Sequence, residues 1–260
     1  RVVQLQNLPA PRPWLPDPEA AIKSILNRTL VEDFGMDGMD ALSVSLRGCI
    51  KAPEGKKLVV ADLTSIESVV LGYCANSKTI HDVFAAKKDT YKTYGMHLFN
   101  CEYDEVTKEQ RSFAKPAVLG GGFGLGGKGM ERYADSMGVE MTPEEAQNSV
   151  NVFREWLPEV VQFWYAIQRA VFTGIRGGTA SVDIQGGMRL VVGTYKEWLQ
   201  IILPSGRRIH YHNAEIRDKT TPWGAVKPAF TYMGSDRFKN GRWCRISAHH
   251  GGITENIVQA

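Results

Sequence analysis

The chain is organised around the stretch from Lys56 to Glu67, KKLVVADLTSIE, in which four consecutive apolar residues, Leu58, Val59, Val60 and Ala61, follow the turn signal Ala52-Pro53-Glu54-Gly55. Such a run predicts a short strand buried on both faces. Ile66, Val69, Val70 and Tyr73 then recur at helical spacing, which predicts a helix directly after the strand with Glu67 in its first turn. Upstream, Pro9, Pro11, Pro13, Pro16 and Pro18 predict an extended opening, Ala21, Ile22, Ile25 and Leu26 a short amphipathic helix, residues 33–39 a loop, and residues 41–50 a lead into the strand. Downstream, helices are expected around Ile80, Val83 and Phe84, from Lys87 to Tyr91 onward, and from Glu144 to Phe172 with a break at Pro158. In the last of these Phe153, Trp156, Leu157, Val160, Val161, Trp164 and Ile167 read as core. After Gly174 the pattern turns β-rich, with strands at 188–192, 198–203, 207–212, 230–232 and 242–247, a hairpin turn at Pro204-Ser205-Gly206, and a helix from Thr254 to Ala260.

Two stretches carry candidate chemistry. Asp62 sits where the predicted strand leaves the core, and an acid there needs a positive partner. It is either a ligand for a divalent cation or a cap for the helix that Thr64 or Ser65 opens. In Thr107–Met130, Lys108, Arg111 and Lys115 recur at i, i+3 and i+7, and Leu119 and Phe123 continue the same stripe. That face either grips a polyphosphate at one end and a flat base at the other, or is a solvated basic face paired with Glu105 and Glu109. Pro116 predicts a kink after Lys115, and the glycines from Gly120 to Gly129 predict a deformable far end, so that the element is short or mobile. Residues 122–127 fit GxGxxG and residues 122–128 fit GxxxxGK, but no apolar strand precedes the first, and Gly129 replaces the hydroxyl residue that the second requires.

Composition narrows the class without deciding it. The 260 residues, 43% hydrophobic and 23% charged, suit a soluble chain of one large domain or two smaller ones, and no apolar run reaches the length of a membrane span. A net charge of +3 neither demands nor excludes nucleic acid. Cys49, Cys74, Cys101 and Cys244 lack CxxC spacing, which favours reduced thiols in a cytosolic setting over a zinc site. His210 and His212 share one strand face without a third ligand.

Four segments in order resemble the polymerase domain of family A DNA polymerases, the bacterial polymerase I type, and look closest to its bacteriophage members. Leu5-Gln6-Asn7-Leu8-Pro9 is similar to a palm segment that touches primer and template. Asp62-Leu-Thr-Ser-Ile-Glu67 resembles motif A. Arg111-Ser-Phe-Ala-Lys115 with Leu119 and Phe123-Gly124 resembles the O helix of motif B, and Glu255-Asn-Ile-Val-Gln259 the start of a helix whose glutamine contacts the minor groove.

The resemblance implies an α+β fold, a right-hand palm built on an antiparallel sheet with a helical fingers subdomain. Residues 1–75 would form the first part of the palm, 76–185 the fingers with the O helix, and 186–260 a β-rich return of the palm. It implies transfer of a dNTP to a primer 3′-hydroxyl by a two-metal mechanism. Asp62 and the carbonyl of Leu63 would bind Mg²⁺, and Arg111 and Lys115 would neutralise the triphosphate. Phe123 would stack near the templating position, with Leu119 and Gly124 beside the nucleotide, and Glu67 would exclude a ribose 2′-hydroxyl. Ser65 and Tyr91 would also meet the substrate, while Gln6, Asn7 and Gln259 would contact DNA. Leu63, Ser65, Tyr91, Leu119 and Phe123 depart from the commonest family pattern; Phe123 lacks a tyrosine hydroxyl, and Tyr91 stands in place of a phosphate-contacting histidine. Motif C, with the second metal-binding aspartate, is not recognisable, so the expectation is an incomplete palm and fingers that needs another polypeptide or segment to carry it. The expected partners are primer-template DNA and dNTP, with no membrane, in the cytoplasm of a host cell. A single-subunit RNA polymerase and a non-catalytic DNA-binding subunit are the rival readings, and a nucleotide-binding enzyme using Gly122–Lys128 is a third.

Overall fold

A computed structural model describes residue 8 and residues 17–35, 38–220, 224–236 and 239–260. Gln6 and Asn7, with most of the proline-rich opening, lie outside the described residues. The chain divides into two compact units, Arg1–Leu63 and Thr64–Ala260.

The first unit contains α1 (Pro18–Asn27), α2 (Leu30–Phe34) and α3 (Gly38–Gly48). Asp17 caps α1 by accepting from the Glu19 amide, Pro18 occupies the first helical turn, and Arg28 closes the helix in the left-handed region. Ser24 and Thr29 both donate to the Asp33 carboxylate at 2.6 Å. Residues 41–50, expected to lead toward a strand, are largely helical instead: Ala41 and Ser45, four residues apart, are buried on one side of α3, and the Ser45 hydroxyl donates to the Ala41 carbonyl.

The predicted strand at 58–61 does not form. Residues 56–63 are irregular, with Val59 85% and Val60 90% exposed. An apolar run becomes a strand only when a neighbouring edge takes up its amides and carbonyls, and none of the strands in the described sheet pairs with it.

The second unit holds α4 (Ile66–Cys74), α5 (Lys78–Ala85), α6 (Thr90–Phe99), α7 (Lys108–Gly121), α8 (Gly127–Ser136), α9 (Pro143–Trp156), α10 (Pro158–Ile175) and α11 (His250–Gln259). Its six-stranded antiparallel sheet runs in the order β1 (Thr179–Asp183), β2 (Arg189–Tyr195), β3 (Trp198–Ile202), β4 (Arg208–Thr220), β5 (Val226–Asp236) and β6 (Arg242–Ala248). The β3–β4 hairpin turns at Pro204-Ser205-Gly206 as expected, with Gly206 at φ 81° and its amide bonded to the Leu203 carbonyl. β1 was not anticipated, because Thr-Ala-Ser-Val-Asp carries too little alternation to announce a strand. The helix break at Pro158 occurs as expected, and α10 then lies against the sheet. Gly174 comes so near β3 that a Cβ would stand 2.8 Å from Leu199 Cδ1.

α7 does not end at Pro116. The helix runs on to Gly121 with Pro116 buried beside Ala114, Ala117 and Val118. An internal proline costs about 3 kcal/mol of helix stability, and here burial of that small-residue face offsets it. Gly120, Gly121 and Gly122 are close-packed, not loose, whereas Gly126 has nothing within 4 Å of its Cβ position among the described residues. A Cβ on Gly120 would lie 2.4 Å from Leu125, one on Gly121 2.8 Å from the Phe153 ring, and one on Gly122 2.5 Å from Leu71. Trp164, 2% exposed, donates its indole N–H to the Gly122 carbonyl at 2.8 Å.

Gly251 and Gly252 make this packing testable. A Cβ on Gly251 would meet the Phe123 carbonyl oxygen at 1.8 Å, whereas Gly252 has nothing within 4 Å. Gly251→Ala should lower unfolding free energy by about 1–3 kcal/mol, and Gly252→Ala should leave it unchanged or raise it by up to about 1 kcal/mol. Urea denaturation midpoints of the two variants measure the contrast.

Candidate functional site

The site in the second unit is built on three helix ends. α4 begins at Ser65, which adopts a left-handed conformation (φ 51°, ψ 37°) and makes no side-chain cap, so Glu67 in the first turn lies beside a free helix start. α6 is capped by Asp89, whose carboxylate accepts from the Lys92 amide at 2.9 Å. α7 opens with a capping box between Thr107 and Gln110, which fixes the rotation of the face bearing Arg111, Lys115 and Leu119.

Arg111 donates through Nε and Nη2 to Asp89 Oδ2, at 2.9 and 2.8 Å, and its guanidinium lies 5.0 Å from the centre of the Tyr91 ring. Burial alone would push the Asp89 carboxyl up. Hydrogen bonds from Arg111 and the Lys92 amide, with the Arg111 charge and the Tyr91 amide, outweigh it and hold the carboxyl below its usual value. Thr64, Ser65, Phe84, Lys87, Lys88, Asp89, Thr90, Tyr91 and Arg111 line one open cleft of about 370 Å³. That volume suits a small polar ligand, and three cations against one acid favour an anion. Ser65, Tyr91 and Arg111 are thus brought together. Lys115, one turn further along α7, is half-buried outside that lining.

Glu67, Leu119 and Phe123 meet elsewhere, with Ser68, Leu71, Val118 and Gly122, around a crevice of about 10 Å³. It has room for about one water molecule, and no base or sugar fits that volume. Gln259, at the end of α11, donates its side-chain amide to Glu67 Oε1 at 3.0 Å across 192 positions of chain. Tyr133 of α8 lies within electrostatic reach of this group: burial first, then the charges of Glu67, Tyr91 and Glu255, push its phenol up. Gly124 has φ 74°, and a Cβ there would touch His250 Cε1 at 3.2 Å.

Asp62 and Leu63 belong to the first unit, where both are exposed in the irregular stretch. Among the described residues no group of three or more His, Cys, Asp or Glu side chains gathers to hold a metal. His210 and His212 flank the Trp198 ring at 6.0 and 4.7 Å.

The model of DNA polymerase family A matches residues 18–174, more than half of the chain. The chain belongs to DNA polymerase family A. It is 27% identical over its whole length to the DNA polymerase of Bacillus phage SP02, of which it covers 39%. It is 31% identical to DNA polymerase I of Aquifex aeolicus (strain VF5) over 43% of this chain and 21% of that protein. This family A chain therefore spans well under half the length of these relatives. A solved structure, the POL domain of Pol1 from M. smegmatis in complex with DNA primer-template and dNTP, is similar over 49% of this chain and 21% of its own, with 20% identity and a TM-score of 0.37.

Sequence reasoning missed Asp89, Lys87 and Lys88 as cleft residues, although Asp89 ahead of Thr90 carried a helix-cap signal. It also missed His250. The His250 ring stacks on Trp164 with centroids 5.4 Å apart and planes at 3°, and its buried Nδ1 has no hydrogen-bond partner among the described residues. Burial first, then the charges of His249 and Arg154, push its pKa down to about 4. An unfolded histidine takes up its proton near pH 6.5 and the folded one near 4, so stability falls as pH drops between those values. Because the ring is partly open to solvent, screening reduces the effect: His250 should lower unfolding free energy by about 1–2 kcal/mol from pH 7 to pH 4, and His250→Phe, which keeps the stacked ring, should flatten that segment of the profile in chemical denaturation.

Proposed function

We propose that this family A chain contributes the palm and fingers of a DNA-directed DNA polymerase, transferring dNTP to a primer 3′-hydroxyl on a template. The observation that carries the reading is the cationic cleft, in which Arg111, Tyr91 and Ser65 converge with Lys87 and Lys88. Residues 1–75 and 186–260 are assigned to the palm and 76–185 to the fingers.

In this proposal Arg111 leaves Asp89 to pair with the triphosphate, and Lys115 adds a second charge as negative charge moves to the departing pyrophosphate. Tyr91 offers a phenol hydroxyl to a phosphate oxygen, and Ser65 its hydroxyl to the nucleotide. Leu119 and Gly124 border the nucleotide, Phe123 stacks near the templating base, and Glu67 fills the volume that a ribose 2′-hydroxyl would need. Gln259, with Gln6 and Asn7, contacts the DNA.

Asp62 and the Leu63 carbonyl are hard oxygen donors of the kind Mg²⁺ takes, an ion that keeps several waters and binds through one or two carboxylates plus phosphate. When bound, Mg²⁺ supplies charge neutralisation and an activated 3′-hydroxyl. Two-ion transfer needs a further carboxylate, which the proposal draws from another segment or polypeptide. Primer-template DNA and dNTP are the partners, in the cytoplasm of the host.

Primer extension with Mg²⁺, in the presence of the segment that supplies the second acid, tests the assignment. Lys115→Ala should lower kcat about 10²–10³-fold with a smaller change in KM. Asp62→Asn should abolish extension, and extension equal to wild type would remove Asp62 from the metal site. Ribonucleotide incorporation as efficient as deoxynucleotide incorporation would favour an RNA polymerase.

A further inference from the structure

Glu67 is the residue assigned above to sugar selection, and a carboxylate can exclude a 2′-hydroxyl only if its position is held. It sits in the first turn of α4, half-buried beside Leu119 and Phe123. Neither neighbour can hold it by a hydrogen bond: one is aliphatic, and the other is a phenylalanine without a hydroxyl. The amide of Gln259 reaches it instead, 3.0 Å from Oε1. That donor is exposed at the end of α11, a helix whose other side is packed. Ile253, Thr254, Ile257 and Val258 are buried along α11, the His249 ring caps the helix by accepting from the Gly251 amide, and Asn256 donates to the Tyr211 hydroxyl of β4 at 2.9 Å.

We infer that Gln259 is a positioning residue for sugar discrimination: its side-chain amide holds the Glu67 carboxylate where a ribose 2′-hydroxyl would have to go. The inference rests on the assignment of Glu67 as the sugar gate and adds the residue that makes the gate rigid. An N–H donated to an ionised carboxylate is a strong hydrogen bond, and a freed Glu67 would turn toward water and leave room for the hydroxyl. The second amide hydrogen and the carbonyl of Gln259 remain for the minor groove, so one side chain ties duplex contact to sugar choice.

The test measures equilibrium binding of dATP and ATP to the protein on a primer-template whose primer is dideoxy-terminated, so that no chemistry occurs. The readout is the ratio of the two affinities within one complex, which cancels any change in DNA affinity. Glu67→Ala should collapse the preference for dATP. Gln259→Ala should lower it about three- to tenfold, and Gln259→Glu at least as far because two carboxylates then repel. The double variant Glu67→Ala/Gln259→Ala should match Glu67→Ala alone, since the glutamine acts only through the carboxylate. An unchanged preference in Gln259→Ala beside a collapsed one in Glu67→Ala, or additive effects in the double variant, would overturn the inference and leave the gate standing. A preference that survives Glu67→Ala would overturn the gate itself and the inference with it.

Discussion

The second unit depends on the approach of the glycine end of α7 to its neighbours. Gly120, Gly121 and Gly122 present bare backbone to Leu125 and Tyr133, to the Phe153 ring and to Leu71, at separations that leave no volume for a methyl group. Trp164 then closes the contact through its bond to the Gly122 carbonyl. Rotating a helix end seated this way would drive side chains into Leu125, Phe153 and Leu71, so these three contacts restrain its orientation. The rotation of α7 in turn decides where Arg111 and Leu119 point.

The same contact sets the register of α11. The Phe123 carbonyl lies where a Cβ of residue 251 would be, so α11 docks only with glycine there. Its buried face of Ile253, Ile257 and Val258 then carries Gln259 to Glu67. One packing arrangement thus links the cationic cleft on α6 and α7 to the carboxylate on α4. The ion pair of Arg111 with Asp89 adds a local constraint: the guanidinium is already oriented and partly desolvated, and an anion must compete with an acid for it.

Much of the helical framework was legible in the sequence because it follows from local chemistry. The break at Pro158, the first-turn position of Glu67 and the hairpin at Pro204-Ser205-Gly206 each need only neighbours a few residues away. The cation stripe of α7 was legible for the same reason, whereas the α+β class came from the resemblance to the polymerase family. The strand at 58–61 was misread because strand pairing is a long-range transaction. Its four apolar residues carry the propensity, but a strand exists only where another backbone completes its hydrogen bonds. Pro116 and the glycines were misread in the opposite direction. Propensity reads them as breakers, whereas Pro116 is buried and Gly120, Gly121 and Gly122 are closely packed against their neighbours.

The sequence by itself determined which residue types are present for the chemistry and, through periodicity, that Arg111, Lys115 and Leu119 share one helix face. Only the tertiary structure decided their company: that Asp89 holds Arg111 beside Tyr91, that Glu67 closes against Leu119 and Phe123, and that Gln259 crosses 192 positions to reach Glu67. The physical reason is range. Helical spacing and caps act over one or two turns and are written in adjacent letters, but contacts between elements depend on which buried surfaces exclude water together, and no local pattern records that choice.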